Sequence, residues 1–508
     1  MNKSLIISTT IGGAFLSSLL YPFTAQKIEE KKPNLIYIFP DQWRQTAFGF
    51  WESPKFKGSI RTNGDPVLTP NLDNFAEQSI VFTQAVSNQP LSSPYRGMLL
   101  TGMMSHKTGV PLNCNEYRPF SNLDSATLCF SDILKSKDYN LAYFGKWHLT
   151  YYNLYEKRKV GNKTFDGIIP GKFRHHFDRF YAWTGFGSHT APIYHDEKGH
   201  IYEPHEYGPK HEVDEVIRYL KNEHGERNSS KPFAIMLAIN PPHSPYSSEE
   251  DVRKEDLAHY KNKNAKDLLV RTNADTTMSK AKSAPYYFAN ITGIDKEFGR
   301  LMRALDELGL SNNTIVVFTS DHGETMCSHG IDDPKNSPYA EAFDVPLLIR
   351  YPEKLKPDVN NLLIGTCDIM PTLFGLMGIE KGFSREIDGT SFHKNLLKIK
   401  GAPKEPSSAL YIMNVNGTKK NETVLNYRPN RRGIKTKKYT FVIEVNETDK
   451  ITKTFFFDNI NDPYQLNNIE FSSKPEDVKV LGEMLGKDLK KINDPWYTNK
   501  IASEVVHY

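Results

Sequence analysis

The chain has 508 residues, long for one hydrophobic core, which suggests a large domain joined to a smaller one. Its 64 Lys+Arg against 60 Asp+Glu leave a net charge of +4, too balanced for a nucleic-acid binder or a protein held on an anionic membrane surface. Four cysteines do not make a disulfide framework at this size, although Cys114 and Cys129 are candidates for pairing.

Lys3 precedes an apolar run from Leu5 to Leu20, with small residues near Thr24-Ala25. This pattern predicts a cleaved export signal over residues 1–25 and no integral membrane span after cleavage. A first apolar strand, Asn34–Phe39, leads directly to Asp41-Gln42. A helix over 71–78 follows the Thr69-Pro70 start. Ser92-Ser93-Pro94-Tyr95-Arg96 reads as another helix start, with a serine hydroxyl as the cap and proline in the first turn. A helix N-terminus also attracts anions, and Arg96 adds a planar fork suited to sulfate or phosphate oxygens.

Three further apolar runs end in chemistry. Leu141–Phe144 leads to Gly145-Lys146-Trp147-His148. Phe233–Ala238 leads to Asn240-Pro241-Pro242-His243, and Thr314–Thr319 leads to Asp321-His322-Gly323. Near-continuous apolar strands are buried on both faces, as in a parallel sheet flanked by helices. In such sheets ligands bind beyond the carboxyl ends of the strands, where all four polar groups fall. The lysine-rich stretch 247–284 reads as a surface excursion or lid, and 287–308 as an amphipathic helix. After a Gly401–Pro406 linker come short β-rich pieces and a helix over 475–492. The predicted organisation is a catalytic domain over 33–397 and a C-terminal subdomain over 407–508.

Taken in order, these segments resemble the type I sulfatases of the alkaline phosphatase-like superfamily. The resemblance rests on Ser92–Arg96 with Leu99-Leu100-Thr101-Gly102, Gly145–Leu149, Asn240–His243 and Phe318–Glu324. It extends to Lys335 with Tyr339 and Glu341, Val345–Arg350, Asp368 with Pro371–Leu373, Asp388-Gly389 and Asp462–Asn468. It implies an α/β fold, a large mixed, mostly parallel sheet sandwiched by helices. A smaller C-terminal α+β subdomain with a short antiparallel sheet would follow.

The resemblance further implies that Ser92 is oxidised to formylglycine by a maturase and that the substrate is a sulfated carbohydrate. Asp41, Gln42, Asp321 and His322 would hold one divalent ion, calcium or alternatively magnesium. Sulfatases commonly carry Asp at position 42 and Asn at 322, and Tyr95 stands where Ser or Ala is usual. Lys146 and Lys335 would clamp sulfate, and Arg96 would orient the formylglycine. His243 would protonate the departing alcohol, and His148 would take a proton as the aldehyde re-forms. The segment containing Arg174, Trp183 and His189 is the candidate for sugar recognition. The alternatives are a phosphodiesterase or phosphonate monoester hydrolase of the same superfamily, and a catalytically silent glycan-binding homologue. No Gly-x-Ser-x-Gly elbow surrounds Ser92, which disfavours a serine hydrolase.

Overall fold

A ten-stranded sheet organises the molecule. The computed structural model describes Met1 and residues 31–498, apart from stretches at 116–117, 151–157, 161–162, 166, 186, 380–385, 414–430 and 447–449. The expected export signal lies outside the described residues. In chain order the sheet strands are β1 (Asn34–Ile38), β2 (Ile80–Phe82), β3 (Asn140–Lys146), β4 (Arg179–Trp183) and β5 (Tyr194–His195). They continue with β6 (Ile201–Tyr202), β7 (Phe233–Ala238), β8 (Thr314–Thr319), β9 (Leu347–Arg350) and β10 (Asp358–Asn360). The spatial order is β10-β2-β9-β8-β1-β7-β3-β4-β5-β6. The central run β8-β1-β7-β3-β4 is parallel throughout, while β9 and the β5-β6 edge run antiparallel to their neighbours.

Alternation along each central strand builds two apolar layers. Ile36, Ile38, Ile235, Leu237, Val316 and Phe318 face one side, with helices α1 (Pro70–Glu77), α4 (Gly208–Lys221) and α5 (Ala284–Glu307). Leu35, Tyr37, Ala234, Met236, Ile315 and Val317 face the other, with α2 (Ser92–Thr101), α3 (Phe130–Ser136) and α6 (Thr366–Leu376). This is the mixed, mostly parallel sheet sandwiched by helices that the sequence predicts.

The second sheet is antiparallel, β11 (Ala409–Met413), β12 (Arg431–Lys435), β13 (Tyr439–Val445) and β14 (Ile451–Asp458), covered by α7 (Pro475–Lys491). Its apolar face shares one core with Met98 of α2 and Met104 just beyond that helix. The small sheet therefore buttresses the helix whose first residue is Ser92.

Three local expectations need correction. Leu91, not a serine, is the N-cap of α2, and Ser92 is the first helical residue. The Ser93 hydroxyl instead accepts from Cys114 N at 3.0 Å, which anchors the start of the helix from outside. Cys114 and Cys129 are not joined; all four cysteines are buried and none is in a disulfide. The stretch 247–284, expected as a surface excursion or lid, is anchored to the core. It folds as short turns of helix whose Leu257, Tyr260, Leu268, Leu269 and Ala281 enter the core beside α5. Charged residues outnumber these anchors in the sequence and mask them.

Candidate active site

Four parallel strands release their carboxyl ends at one edge of the sheet, so residues distant in sequence converge there. Asp41 and Gln42 follow β1, Asp321 and His322 follow β8, Asn240 and His243 follow β7, and Lys146 is the last residue of β3. Gly145 has φ +95°, and a Cβ there would lie 2.2 Å from Ala238 O. Only glycine allows β3 to press against β7 and turn Lys146 inward. The first turn of α2 brings Ser92 and Arg96 to the same edge.

The Ser92 hydroxyl sits 3.3 Å from Asp41 Oδ1 and 3.1 Å from His322 Nε2. Asp41 Oδ2 accepts from Lys146 Nζ at 2.7 Å and from Arg96 Nη2 at 3.2 Å. Arg96 reaches Asp321 Oδ2 at 3.6 Å, and its Nη1 donates to Lys146 O at 2.6 Å. One guanidinium thus ties α2, β3 and both aspartates together. Lys335 Nζ lies 3.1 Å from His243 Nε2. His243 Nδ1 donates to Ser244 O at 2.8 Å, which leaves the Nε2 lone pair facing the lysine. Lys335 and His243 are 8% and 7% exposed, against 0–2% for Ser92, Asp41, Arg96, Lys146 and His322. Lys335 and His243 are thus the least deeply buried members of the cluster.

Burial and crowding decide the charges. Burial alone raises the Asp41 carboxyl, but the positive charge around it, Lys146 first, outweighs that and holds the group well below the usual carboxylate range. Burial, and then the neighbouring Asp41, raise Asp321. Burial lowers Lys146, opposed by Asp41. The imidazoles of His148, His243 and His322 are all pushed well below 6.5, first by burial and then by nearby cations, so each is neutral at pH 7.

The donor set suits a divalent cation. Ligand atoms of Asp41, Asp321 and His322 lie within 4.8 Å of one another, all buried. His322 Nδ1 donates to Gly323 O at 3.0 Å, so Nε2 carries the lone pair that faces the cluster. Gln42 Oε1 is buried without a hydrogen-bond partner, and so is Asp321 Oδ2 apart from its ion pair with Arg96. Buried acceptors left without donors need a positive partner. Three oxygens and one imidazole nitrogen fit a hard or borderline divalent ion.

Two of these features were not assigned from the sequence. The Gln42 amide hydrogens donate to Glu324 Oε2. Glu324 also accepts from Tyr246 OH at 2.8 Å and Lys280 Nζ at 3.1 Å. A carboxylate there fixes which end of the Gln42 amide is the nitrogen and leaves Oε1 as the buried acceptor without a donor. Asn240 Oδ1, 3.4 Å from Lys146 Nζ, is a second partner for that lysine. Both residues stood inside quoted motifs, Asp-His-Gly-Glu and Asn-Pro-Pro-His, but their roles depend on side-chain directions that spacing does not reveal.

The remaining predicted residues fall at different places. His148 has φ +52°, its Nε2 meets Cys114 O at 3.1 Å, and Lys146 and Arg96 bear on its charge. The Trp183 ring lies 5.9 Å from Lys146 Nζ. His189 bonds to Asp251 O at 3.1 Å, and burial lowers its pKa to about 4. Lys146 and His243 also act on it, which puts its ring beside the cluster. Arg174 is directed elsewhere. It donates to Ile169 O at 2.9 Å and Glu197 O at 2.5 Å, packs on Phe180, and lines a separate cavity with Asp132 and His175.

The family described as Sulfatase matches residues 33–379, and that described as N-sulphoglucosamine sulphohydrolase, C-terminal, matches 328–494. The chain is 45% identical over 488 residues to an endo-4-O-sulfatase of Bacteroides thetaiotaomicron, covering 94% of this chain and 96% of that one. It is 32% identical to a ulvan-active sulfatase of Formosa agariphila, covering 92% and 82%. A solved structure described under the metabolism of multiple glycosaminoglycans by B. thetaiotaomicron superposes with a TM-score of 0.90 at 44% identity, covering 94% of this chain and all of that one. The chain belongs to the sulfatase family and is a sulfuric ester hydrolase.

Proposed function

We propose that this enzyme removes an O-sulfate group from a carbohydrate, at a 4-O position within a glycosaminoglycan-like chain, using formylglycine at position 92 and one divalent cation. The observation that carries the reading is the convergence of the Ser92 hydroxyl, Asp41, Lys146, Arg96 and His322 within hydrogen-bond reach at a helix start, with Asp321 3.6 Å from Arg96. The 4-O position and internal action rest on the 45% identical endo-4-O-sulfatase.

Asp41, Gln42, Asp321 and His322 would hold the cation, which would supply Lewis-acid stabilisation of negative charge beside residue 92. Formylglycine at position 92 would supply a hydrated aldehyde whose hydroxyl is a nucleophile toward the sulfur of the ester. The residues of the chain manage protons and charge around that exchange. Arg96 and Lys146 face Asp41 and counter the charge that builds on the hydroxyls. Asp321, its carboxyl raised by burial, is suited to accept the proton of the attacking hydroxyl. Lys335, among the least deeply buried of the cluster, receives a sulfate oxygen.

His243 is neutral while Lys335 faces it. A sulfate group engaging Lys335 offsets that charge, lets Nε2 take up a proton, and so arms the group that protonates the departing sugar oxygen. His148 takes the final proton when sulfate leaves. We further assign the enzyme to the periplasm, after maturation of Ser92 by a formylglycine-generating maturase acting on the serine.

The test uses enzyme co-expressed with such a maturase. It is offered defined oligosaccharides that differ only in 4-O or 6-O sulfation, as short ends and as internal units of longer chains. The reading expects release from internal 4-O positions. Cleavage confined to 6-O sulfates, or to phosphodiesters, would replace it.

A further inference from the structure

We propose that Cys129, Asp132 and His175 form a second metal site, for a borderline transition-metal ion of the Zn2+ class. It lies at the start of α3, outside the cluster around Ser92. The Cys129 thiol, a carboxylate oxygen of Asp132 and a ring nitrogen of His175 lie within 4.8 Å of one another. His175 is 3% exposed, and its Nε2 is buried without a hydrogen-bond partner. A buried imidazole nitrogen with no partner costs free energy unless something fills the gap. Beside a thiol and a carboxylate, the natural filler is a metal ion.

The surroundings resemble the outer shell such a site requires. Asp132 Oδ2 accepts from Cys129 N at 2.7 Å, which fixes the carboxylate over the helix start. His176 Nδ1 sits 2.7 Å from Asp132 Oδ1 and holds the second oxygen. His175 is backed by the Trp147 ring, stacked at 6.3 Å. A cavity of about 430 Å3 lined by Thr127, Asp132, His175 and His176 leaves room for a water as fourth ligand.

Tetrahedral zinc with sulfur and nitrogen bonds of roughly 2.0–2.3 Å needs donor separations of about 3.4–3.8 Å, so donors now within 4.8 Å of one another have to close to that range. Side-chain rotation supplies that. The Cys129 thiol now points at Thr127 O, 3.5 Å away, and would give up its proton to solvent as the metal–sulfur bond forms. A mixed sulfur, nitrogen and oxygen set favours Zn2+ over Ca2+ or Mg2+, which take oxygen. The site would pin α3 to the loop that leads into β4, whose last residue, Trp183, flanks Lys146.

The test loads metal-free full-length protein with Co2+ and records the near-ultraviolet absorption. A thiolate-to-cobalt charge-transfer band at one equivalent is expected. It should vanish in Cys129→Ser, weaken at least tenfold in apparent affinity in His175→Gln, and persist in Asp321→Asn, because the cluster around Ser92 has no thiol. Zn2+ should displace the cobalt and bleach the band. No band in the parent protein, or a band that survives Cys129→Ser, overturns the proposal. If Cys129→Ser does not fold, equilibrium dialysis of Zn2+ on His175→Gln decides. Unchanged affinity there is equally fatal.

Discussion

Replacing Lys335 by methionine tests the electrostatic logic of the site. The ammonium lies 3.1 Å from His243 Nε2, and after burial it is the largest influence holding that imidazole below 6.5. Two unit charges at that distance repel by roughly 5 kcal/mol at an effective dielectric of about 20, and by half that if water entry doubles it. At about 1.4 kcal/mol per unit, removing the lysine raises the His243 pKa by about 2–4 units. Burial and Lys146 remain, so the imidazole becomes titratable near neutral pH but does not exceed a free histidine by much. Hydrogen–deuterium exchange at the imidazole C2 position, followed by mass spectrometry, reads each histidine separately. His243 should show no titration step near neutrality in the parent and a clear one in Lys335→Met. The sulfate clamp is lost at the same time, so kcat/KM should fall roughly 10²–10³-fold. A His243 profile that moves by less than about 0.5 unit would refute the coupling, because no plausible dielectric makes a charge at this distance so weak.

Other perturbations separate the roles further. Glu324→Gln lets the Gln42 amide turn over, and cation affinity should weaken roughly 10–100-fold while the fold is kept; titration of the chelated enzyme with Ca2+ or Mg2+ measures it. Gly145→Ala places a Cβ 2.2 Å from a backbone carbonyl at φ +95°, so soluble yield should collapse or thermal stability fall by more than about 3 kcal/mol, as read from unfolding curves. His195, fully buried, accepts from Ile169 N at 3.1 Å and bonds to Asp196 O at 2.9 Å, and burial lowers its pKa to about 4. The unfolded chain binds that proton first, so stability present above pH 6.5 is lost as pH falls toward 4, by up to about 3 kcal/mol. His195→Gln should flatten denaturant-unfolding stability over that window by a similar amount.

The sheet was legible because its central strands are apolar on both faces, and because Asp41, Lys146, His243 and Asp321 all stand just past strand ends. Parallel pairing then forces these groups together, and the observed strands Phe233–Ala238 and Thr314–Thr319 match the predicted ones residue for residue. Antiparallel β9 and the short edge strands β5 and β6 left no comparable signal, since two to four residues carry no period. Within the site, residue types were readable but directions were not. Nothing in Asp-His-Gly-Glu tells that Glu324 turns back to orient Gln42. Arg174, set among aromatics and histidines, reads equally as a sugar contact or a scaffold residue. Only its bonds to Ile169 and Glu197 carbonyls show the scaffold role. The helix starts ahead of the serine cap that the sequence suggests, with Leu91 as N-cap, because a proline fits anywhere in the first turn.

Position 92 itself offers the most direct trial of the account. Mature enzyme, made with a maturase, is digested and the peptide spanning that residue is weighed, while turnover of a sulfated sugar is followed on the same preparation. Activity should scale with the fraction of peptide about 2 Da lighter than the serine form, and Ser92→Ala should have neither the light peptide nor turnover. Full turnover from protein whose peptide keeps the serine mass would contradict the nucleophile on which the whole scheme turns.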